Sequence, residues 1–455
     1  GRFIMGFRKD FAWGAATASY QNEGGFLEDG KGLSIWDVFT HEKGRIEDGR
    51  NGDVASDQYH LIDTDIEIMS QMKLNAYRFS ISWPRVLPEG TGKVNQKGLD
   101  FYDRMVDSLL EKEITPYITL FHWDLPQALY VKGGWLNRDI SKWFAEYASV
   151  VVRKLSDRVD HWITENEPQC YIGQGLYRGQ HAPGIRLSRR DALLAAHHSL
   201  LAHGNGVDAI RAEARKKPSV GIAPAYGWLW VPEKETQEDI EACRKKTFEA
   251  SDEQLEGTSW WLDPVFFGKY PEDGVNAVGE DMPDVNADDM KIISRPIDFL
   301  GTNIYRAPVG RMGKEGTCET VEEKKGYAKT AYPWTVIPEC LYWGPKFLQE
   351  RYHKEIVITE NGMSNRDWVH LDGRVHDAER IDFTHRYLLQ LKRAVEEGID
   401  ISGYFHWTLT DNFEWATGYS NRFGLVYVDF ETQERIMKDS ALWYRDIIRS
   451  NGEKL

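Results

Sequence analysis

The stretch His161-Trp-Ile-Thr-Glu-Asn-Glu-Pro168 decides the fold. It opens as a short β-branched and aromatic run and ends in polar groups stopped by a proline. A run of about 4–8 such residues reads as a strand. A second stretch, Ile358-Thr-Glu-Asn-Gly362, almost repeats it. Each places a carboxylate where its strand ends.

Six more apolar runs share the pattern, and together they give eight strands: Phe11–Ser19, Ala76–Trp83, Thr115–Trp123, His161–Glu167, Ser219–Tyr226, Asp298–Tyr305, Glu355–Glu360 and Ile401–Trp407. Helical patterns lie between them. Ser56 to Met72 carries Tyr59, Ile62, Ile66 and Met69 at three- and four-residue spacing. Asp139 to Leu155 and Asp377 to Val395 read the same way. Strands alternating with helices form parallel βαβ units, and eight such units close into a (β/α)8 barrel of the α/β class. Length alone, 455 residues, would suggest about three average domains. No linker or low-complexity tract divides the chain, so residues 1–455 read as a single catalytic (β/α)8 domain. The long connections Gly24–Asp53, Tyr226–Leu255 and Arg306–Pro338 are expected as loops over the C-terminal mouth.

Composition narrows the function. Lys+Arg 56 against Asp+Glu 71 gives a net charge of -15. That balance argues against a nucleic-acid surface and against an anionic-membrane binder. No apolar run approaches the roughly 18 residues of a spanning helix. Arg2, Arg8 and Lys9 before Phe11–Ala18 mimic a signal peptide, but Asp10 and Gly14 interrupt the segment, which reads as a buried first strand. Gly1 to Met5 read as a cloning remnant. Cys170, Cys243, Cys318 and Cys340 are widely spaced, which is neither a disulfide framework nor a zinc site and fits a cytoplasmic protein. His197, His198 and His203 lack metal-pair spacing, and no glycine-rich phosphate loop follows a strand. No metal and no cofactor are expected. Aromatic residues reach 13%, with 17 Trp, 21 Tyr and 19 Phe. Most should pack the core, but flat faces with a polar handle also suit sugars.

On a (β/α)8 barrel the chemistry sits at the C-terminal strand ends. Those ends carry Gln21, Arg78, His122, Trp123, Asn166, Glu167, Asn303, Tyr305, Glu360 and Trp407. Two carboxylates across one mouth suggest glycoside hydrolysis with retention, at a separation of roughly 5–5.5 Å. Strand four offers both Glu165 and Glu167, and spacing alone leaves that choice open. Strand alternation places the two on the same side.

The chain resembles glycoside hydrolase family 1, the β-glucosidase family, almost end to end. The resemblance rests on Phe11-Ala-Trp-Gly-Ala-Ala-Thr-Ala-Ser-Tyr-Gln-Asn-Glu-Gly24, Tyr77-Arg-Phe-Ser-Ile-Ser-Trp-Pro-Arg85 and Phe121-His-Trp-Asp-Leu-Pro126. It continues through Asn166-Glu-Pro168, His181-Ala-Pro-Gly184, Ile358-Thr-Glu-Asn-Gly362, Asp411-Asn-Phe-Glu-Trp415 and Arg422-Phe-Gly-Leu425. It implies a β-glucosidase with Glu167 as general acid/base and Glu360 as nucleophile. It implies supporting roles for Arg78, Asn303 and Tyr305. It carries Gln21, His122, Trp123, Asn166, Trp407, Glu414 and Trp415 to the sugar, and Trp334 to the leaving group. Tyr171, Tyr177 and Trp228 are further leaving-group candidates. Beside Arg78, Glu360 is expected to ionise easily, and Glu167 to hold a raised pKa.

Glu165 departs from the family pattern, which has an apolar residue there. Pairing with a basic neighbour is the expectation. Glu414 would repel a phosphate dianion, which points to unphosphorylated β-glucosides or short oligosaccharides. The alternatives are a β-galactosidase, a β-fucosidase or a 6-phospho-β-glycosidase, and, in another class, a catalytically silent sugar-binding barrel. The expected partner is a small-molecule β-glycoside, with oligomeric state left open.

Overall fold

The computed structural model describes residues 6–251 and 254–455, so the remnant read at Gly1 to Met5 lies outside it. Eight parallel strands close into a barrel: β1 (Ala12–Ala16), β2 (Ala76–Ser80), β3 (Thr115–Phe121), β4 (His161–Asn166), β5 (Ser219–Ala223), β6 (Phe299–Asn303), β7 (Ile356–Asn361) and β8 (Ile401–Trp407). Each pairs with its sequence neighbours, and β1 closes on β8 with Ala12 opposite Gly403. All eight expected strands are present. Each ends at or before its expected boundary except β7, which runs one residue further to Asn361.

Helices separate the strands, as the alternating pattern requires. They are α1 (Gln58–Gln71), α2 (Gln96–Glu111), α3 (Ile140–Leu155), α4 (Arg189–Glu213), α5 (Ala287–Ile293), α6 (Cys340–Tyr352), α7 (Ala378–Glu396) and α8 (Asp439–Arg449). The helix α4 begins where the Ser188 hydroxyl accepts the Asp191 amide at 3.1 Å. On it, His197 bonds Asp289 and Tyr270, His198 the Trp135 carbonyl, and His203 Thr164.

Two apolar layers hold the barrel. Inside, Ala12, Ala76, Tyr117, Ile163, Phe299 and Phe405 fill the lumen. Outside, strand residues such as Trp162 and Ile358 pack against the helices. A lumen plugged by side chains leaves open space only at the strand ends. Among the described residues, no helix is long and apolar enough to cross a membrane.

Of the three long connections, the one after β6 lines the mouth cavity and the first backs its wall. The first folds a helix, Ile35–Thr40, under a Ser34–Asp37 capping box. That helix brings Trp36 to 4.5 Å from the Trp415 ring. The segment after β6 carries Arg306, Tyr332 and Trp334 into the mouth. The connection Tyr226–Leu255 differs from expectation. Its Val231–Pro232 strand joins a sheet with Val309–Met312 and Cys318–Thr320, and the helix Gln237–Phe248 packs on that sheet. None of the described residues between 226 and 255 lines the mouth cavity.

Candidate active site

The end of β4 is bulged. Ile163 pairs with Gly221 and Asn166 with Ala223, so β4 spends one residue more than β5 over this interval. A bulge re-aims the side chains on the strand that carries it. Ile163 faces the lumen. Thr164 meets His203 and Glu165 meets Ser199, both on α4 outside the barrel. Asn166 turns back toward the mouth. Glu167 follows with φ of 48°, and its N–H holds the Ala223 carbonyl at 2.8 Å. The left-handed backbone swings its carboxyl into the cavity. Glu165 and Glu167 therefore do not share a side, because the bulge and this turn break the alternation.

Glu165 also lacks the basic partner expected for it. The Ser199 hydroxyl lies 3.3 and 3.4 Å from its two oxygens, and the Tyr171 hydroxyl joins Ser199 at 2.5 Å. No cation pairs with it among the described residues. Burial pushes its pKa well above the ordinary carboxylate value. Its place in the strand–helix layer favours the neutral form.

β7 is bulged too. Between Ile358 and Glu360 it spends two residues against one of β6. Glu360 enters the mouth only 3% exposed. The Arg78 guanidinium, fully buried, holds Glu360 Oε2 at 2.9 Å, and the Tyr305 hydroxyl donates to Oε1 at 2.5 Å. From Arg78 a hydrogen-bonded chain runs across the barrel. Its other terminal nitrogen donates to Asn166 Oδ1 at 2.6 Å. Asn303 Nδ2 donates to the same oxygen at 2.9 Å and to Glu167 Oε2 at 2.7 Å. Thr359 donates to Asn303 Oδ1 at 2.6 Å, which fixes the amide's orientation.

These contacts set the charge balance. Burial and the neighbouring Glu167 push Glu360 up to about 7, against the pull of Arg78 and Tyr305. The easy ionisation expected beside Arg78 is therefore offset, because desolvation outweighs the cation. Glu167 is also raised by burial, against the donors Asn303 and Cys170. Two coupled carboxyls this close titrate as a pair. The donors are asymmetric: Glu360 faces a cation, and Glu167 an amide and a thiol. A nearby cation favours the ionised form of a carboxyl more than an amide or a thiol does.

The remaining polar groups form one wall. Gln21 donates to Glu414 Oε2 at 3.2 Å and to the Phe413 carbonyl at 3.0 Å. Burial and Glu360 push Glu414 up to about 8, although the Trp407 indole and Gln21 hydrogen-bond it. Asn166 Nδ2 donates to His122 Nε2 at 3.0 Å, so that nitrogen is the acceptor. Burial and Arg78 hold His122 neutral, far below the usual imidazole value. Trp123 bonds the Asn166 carbonyl at 3.0 Å and stacks on Trp415 at 4.3 Å. Trp407 stacks on His122 at 5.9 Å.

All these groups surround a cavity of about 340 Å³. Gln21, His122, Trp123, Trp407, Glu414 and Trp415 line its depth, with Glu167, Tyr305 and Glu360 at the waist. Arg78, Asn166 and Asn303 lie beneath it and act through the bonds described. Trp334 stands at the outer side, 5.3 Å from the Tyr305 ring and under the Arg306 guanidinium. Tyr171, Tyr177 and Trp228 do not line the cavity. Tyr171 packs on Phe121 and Trp135, and Trp228 is occupied by Lys246 and Trp230. Cys170, Gln174, Gln180, Arg306, Tyr332 and Phe423 line it without having been marked as site residues. Some signals were available: Phe423 lies in the motif Arg422–Leu425, Arg306 and Tyr332 lie in a connection expected over the mouth, and Cys170 follows closely after Glu167.

A parallel barrel whose mouth joins a buried and a half-buried carboxyl, a ring of amides and a wall of indoles has the make-up of a carbohydrate-active enzyme. Comparison with known proteins narrows that class. The model of the family described as Glycosyl hydrolase family 1 matches residues 4–453. Beta-glucosidase A of Thermotoga maritima is 46% identical over 450 residues, covering 99% of each chain. A 1,4-beta-D-glucan glucohydrolase of Thermotoga neapolitana is also 46% identical, covering 98% of this chain and 99% of its own. The structure of the Thermotoga maritima beta-glucosidase in complex with glucoimidazole superposes with a TM-score of 0.90 at 46% identity, over 99% of this chain and 100% of that one. The chain belongs to glycosyl hydrolase family 1.

Proposed function

We propose that the chain is a retaining β-glucosidase. It removes the terminal non-reducing β-D-glucosyl residue from unphosphorylated β-glucosides and short oligosaccharides, cellobiose among them. The observation that carries this is the pair Glu167 and Glu360, lining one cavity and joined through Arg78, Asn166 and Asn303. The similarity to beta-glucosidase A supports the sugar.

In the first step the Glu360 carboxylate attacks the anomeric carbon. Glu167 gives its proton to the glycosidic oxygen as that bond breaks, and the leaving group departs as an alcohol. Positive charge on the sugar ring is shared with Glu360 at the moment of transfer. In the second step water attacks the glycosyl ester. Glu167, now a carboxylate, takes the water's proton, and Glu360 is released. Forming the ester removes the negative charge of Glu360, which lets the Glu167 pKa fall between the steps.

Asn166, beside the acid, suits the 2-hydroxyl. Gln21, His122 and Glu414 suit the other hydroxyls, over the Trp407 face. The outer cavity combines the Trp334 ring with polar Gln174, Gln180 and Arg306. That mixture favours a sugar leaving group over a purely apolar one. The four unbridged thiols support a reducing, cytoplasmic setting, and the whole chain acts as one catalytic domain.

Proton NMR of the first-formed sugar tests the scheme. The β-anomer is expected from a β-glucoside, and an initial α-anomer overturns it. A panel of nitrophenyl glycosides separates glucoside from galactoside, fucoside and 6-phosphoglucoside. Turnover of none supports a sugar-binding barrel.

A further inference from the structure

Cys170 sits on the short helix Pro168–Ile172 that follows Glu167, and its Sγ lies 3.1 Å from Glu167 Oε1. The other carboxyl oxygen, Oε2, faces Asn303 Nδ2 at 2.7 Å. The two partners differ in kind. Asn303 is locked with its oxygen on Thr359, so toward Glu167 it only donates. In a protonated carboxyl the carbonyl oxygen is the better acceptor, so a fixed donor at Oε2 makes Oε2 the carbonyl. The proton then belongs on Oε1. A thiol both donates and accepts. Among the described residues it is the one hydrogen-bonded neighbour of Glu167 that can follow the proton in either direction.

We propose that Glu167 Oε1 carries the catalytic proton and that Cys170 is a positioning residue for it. The thiol donates to Oε1 while Glu167 is a carboxylate. It accepts from the Oε1 hydroxyl while Glu167 is an acid. The inference rests on Glu167 being the acid/base. The other groups facing Glu167 do not reverse in this way. Arg78 from β2 and Asn303 from β6 donate only. Tyr305 gives its hydrogen to Glu360, and Glu360 from β7 is the coupled carboxyl. Glu256 adds negative charge on the Cys170 side, and burial, first, and Glu167 hold the thiol protonated. The same helix is fastened from behind, since its Tyr171 hydroxyl reaches Ser199 on α4.

The experiment is the pH profile of kcat/KM on 4-nitrophenyl β-glucoside for Cys170→Ser and Cys170→Val, with Cys170→Ala should valine prevent folding. Removing a donor from the carboxylate form raises its pKa, so the alkaline limb should move up by about half to one unit in the valine or alanine variant. Serine, which also donates and accepts, should restore the limb to its original position or lower it. Identical limbs in all variants, or equal shifts for serine and valine, overturn the inference. Glu167→Gln separates the two levels. An unaltered profile in Glu167→Gln overturns the acid/base reading itself. Loss of the alkaline limb there, with unshifted Cys170 variants, overturns only the role of the thiol.

Discussion

Arg78 and Glu360 form a fully buried ion pair, Nη1 to Oε2 at 2.9 Å, in which the cation is outweighed by its surroundings. Burial and Glu167 still leave Glu360 at about 7. Arg78 opposes that rise and so favours the carboxylate form of Glu360, the proposed nucleophile. In Arg78→Met the cation disappears and the pKa rises further. Since the carboxylate is the reactive form, the acidic limb of kcat/KM should move up by at least about one unit, as expected for loss of a close buried charge. At pH 6 a shift of that size should cost about tenfold. An unmoved acidic limb would show that Arg78 does not set the charge of Glu360.

Glu165 gives a prediction of the opposite kind, on stability. An unfolded glutamate ionises near about 4.3. Folded Glu165 keeps its proton well above that, because of burial. The folded state binds more protons, so this group's contribution is complete below the unfolded value and is lost as pH rises through the folded one. Glutamine cannot ionise and keeps an oxygen for Ser199. The Tm of Glu165→Gln should therefore gain on wild type steadily as pH is raised from about 4.3. Its turnover should stay far above that of Glu167→Gln, since Glu165 lies outside the cavity. Activity lost equally in both variants would return Glu165 to the catalytic set.

The loop that presents Glu414 and Trp415 hangs on a buried charge cluster. Lys438 Nζ holds Asp411 Oδ1 at 2.8 Å and Asp367 Oδ2 at 2.7 Å, and Arg380 holds Asp367 at 2.8 Å. Arg422 takes the other oxygen of Asp411 at 2.7 Å. Removing one member leaves buried carboxylates short of a partner, which costs about 3–5 kcal/mol. Lys438→Met should show that loss in denaturant unfolding, together with a raised KM as the Glu414 wall loosens. Unchanged stability would mean the cluster is dispensable.

These cases show what the sequence makes legible. The barrel follows from eight short apolar runs separated by helical patterns, because a strand period and a helix period are properties of local residues. Quoted motifs placed Glu167, Glu360 and the sugar-facing groups at the strand ends, where the structure gathers them. The bulges in β4 and β7 were not legible, since a bulge is defined by the partner strand. The side of Glu165 was misassigned for that reason. Loop aromatics were misassigned for a related one. Tyr171 and Trp228 find core partners only once distant segments meet. In the sequence Cys170 is one of four scattered cysteines, and only its 3.1 Å approach to Glu167 sets it apart.

The assignment of Glu360 has its own chemical test. In Glu360→Gly the attacking carboxylate is gone, while Glu167, Asn303 and the sugar wall are untouched. A substrate with a good leaving group then lacks only a nucleophile on the face opposite the bond that breaks. Azide is small and anionic, and it fits the space the carboxylate vacates beside Arg78 and Tyr305. It should attack the anomeric carbon from that face, so the product is the α-glycosyl azide, with inversion relative to the β-substrate. Turnover of 2,4-dinitrophenyl β-glucoside should be very low without azide and rise with its concentration, and proton NMR should identify the α-azide. The β-azide would instead mean that azide had entered from the Glu167 side, after a first displacement by some other group. Absence of any rescue in a folded variant would count against Glu360 as the nucleophile.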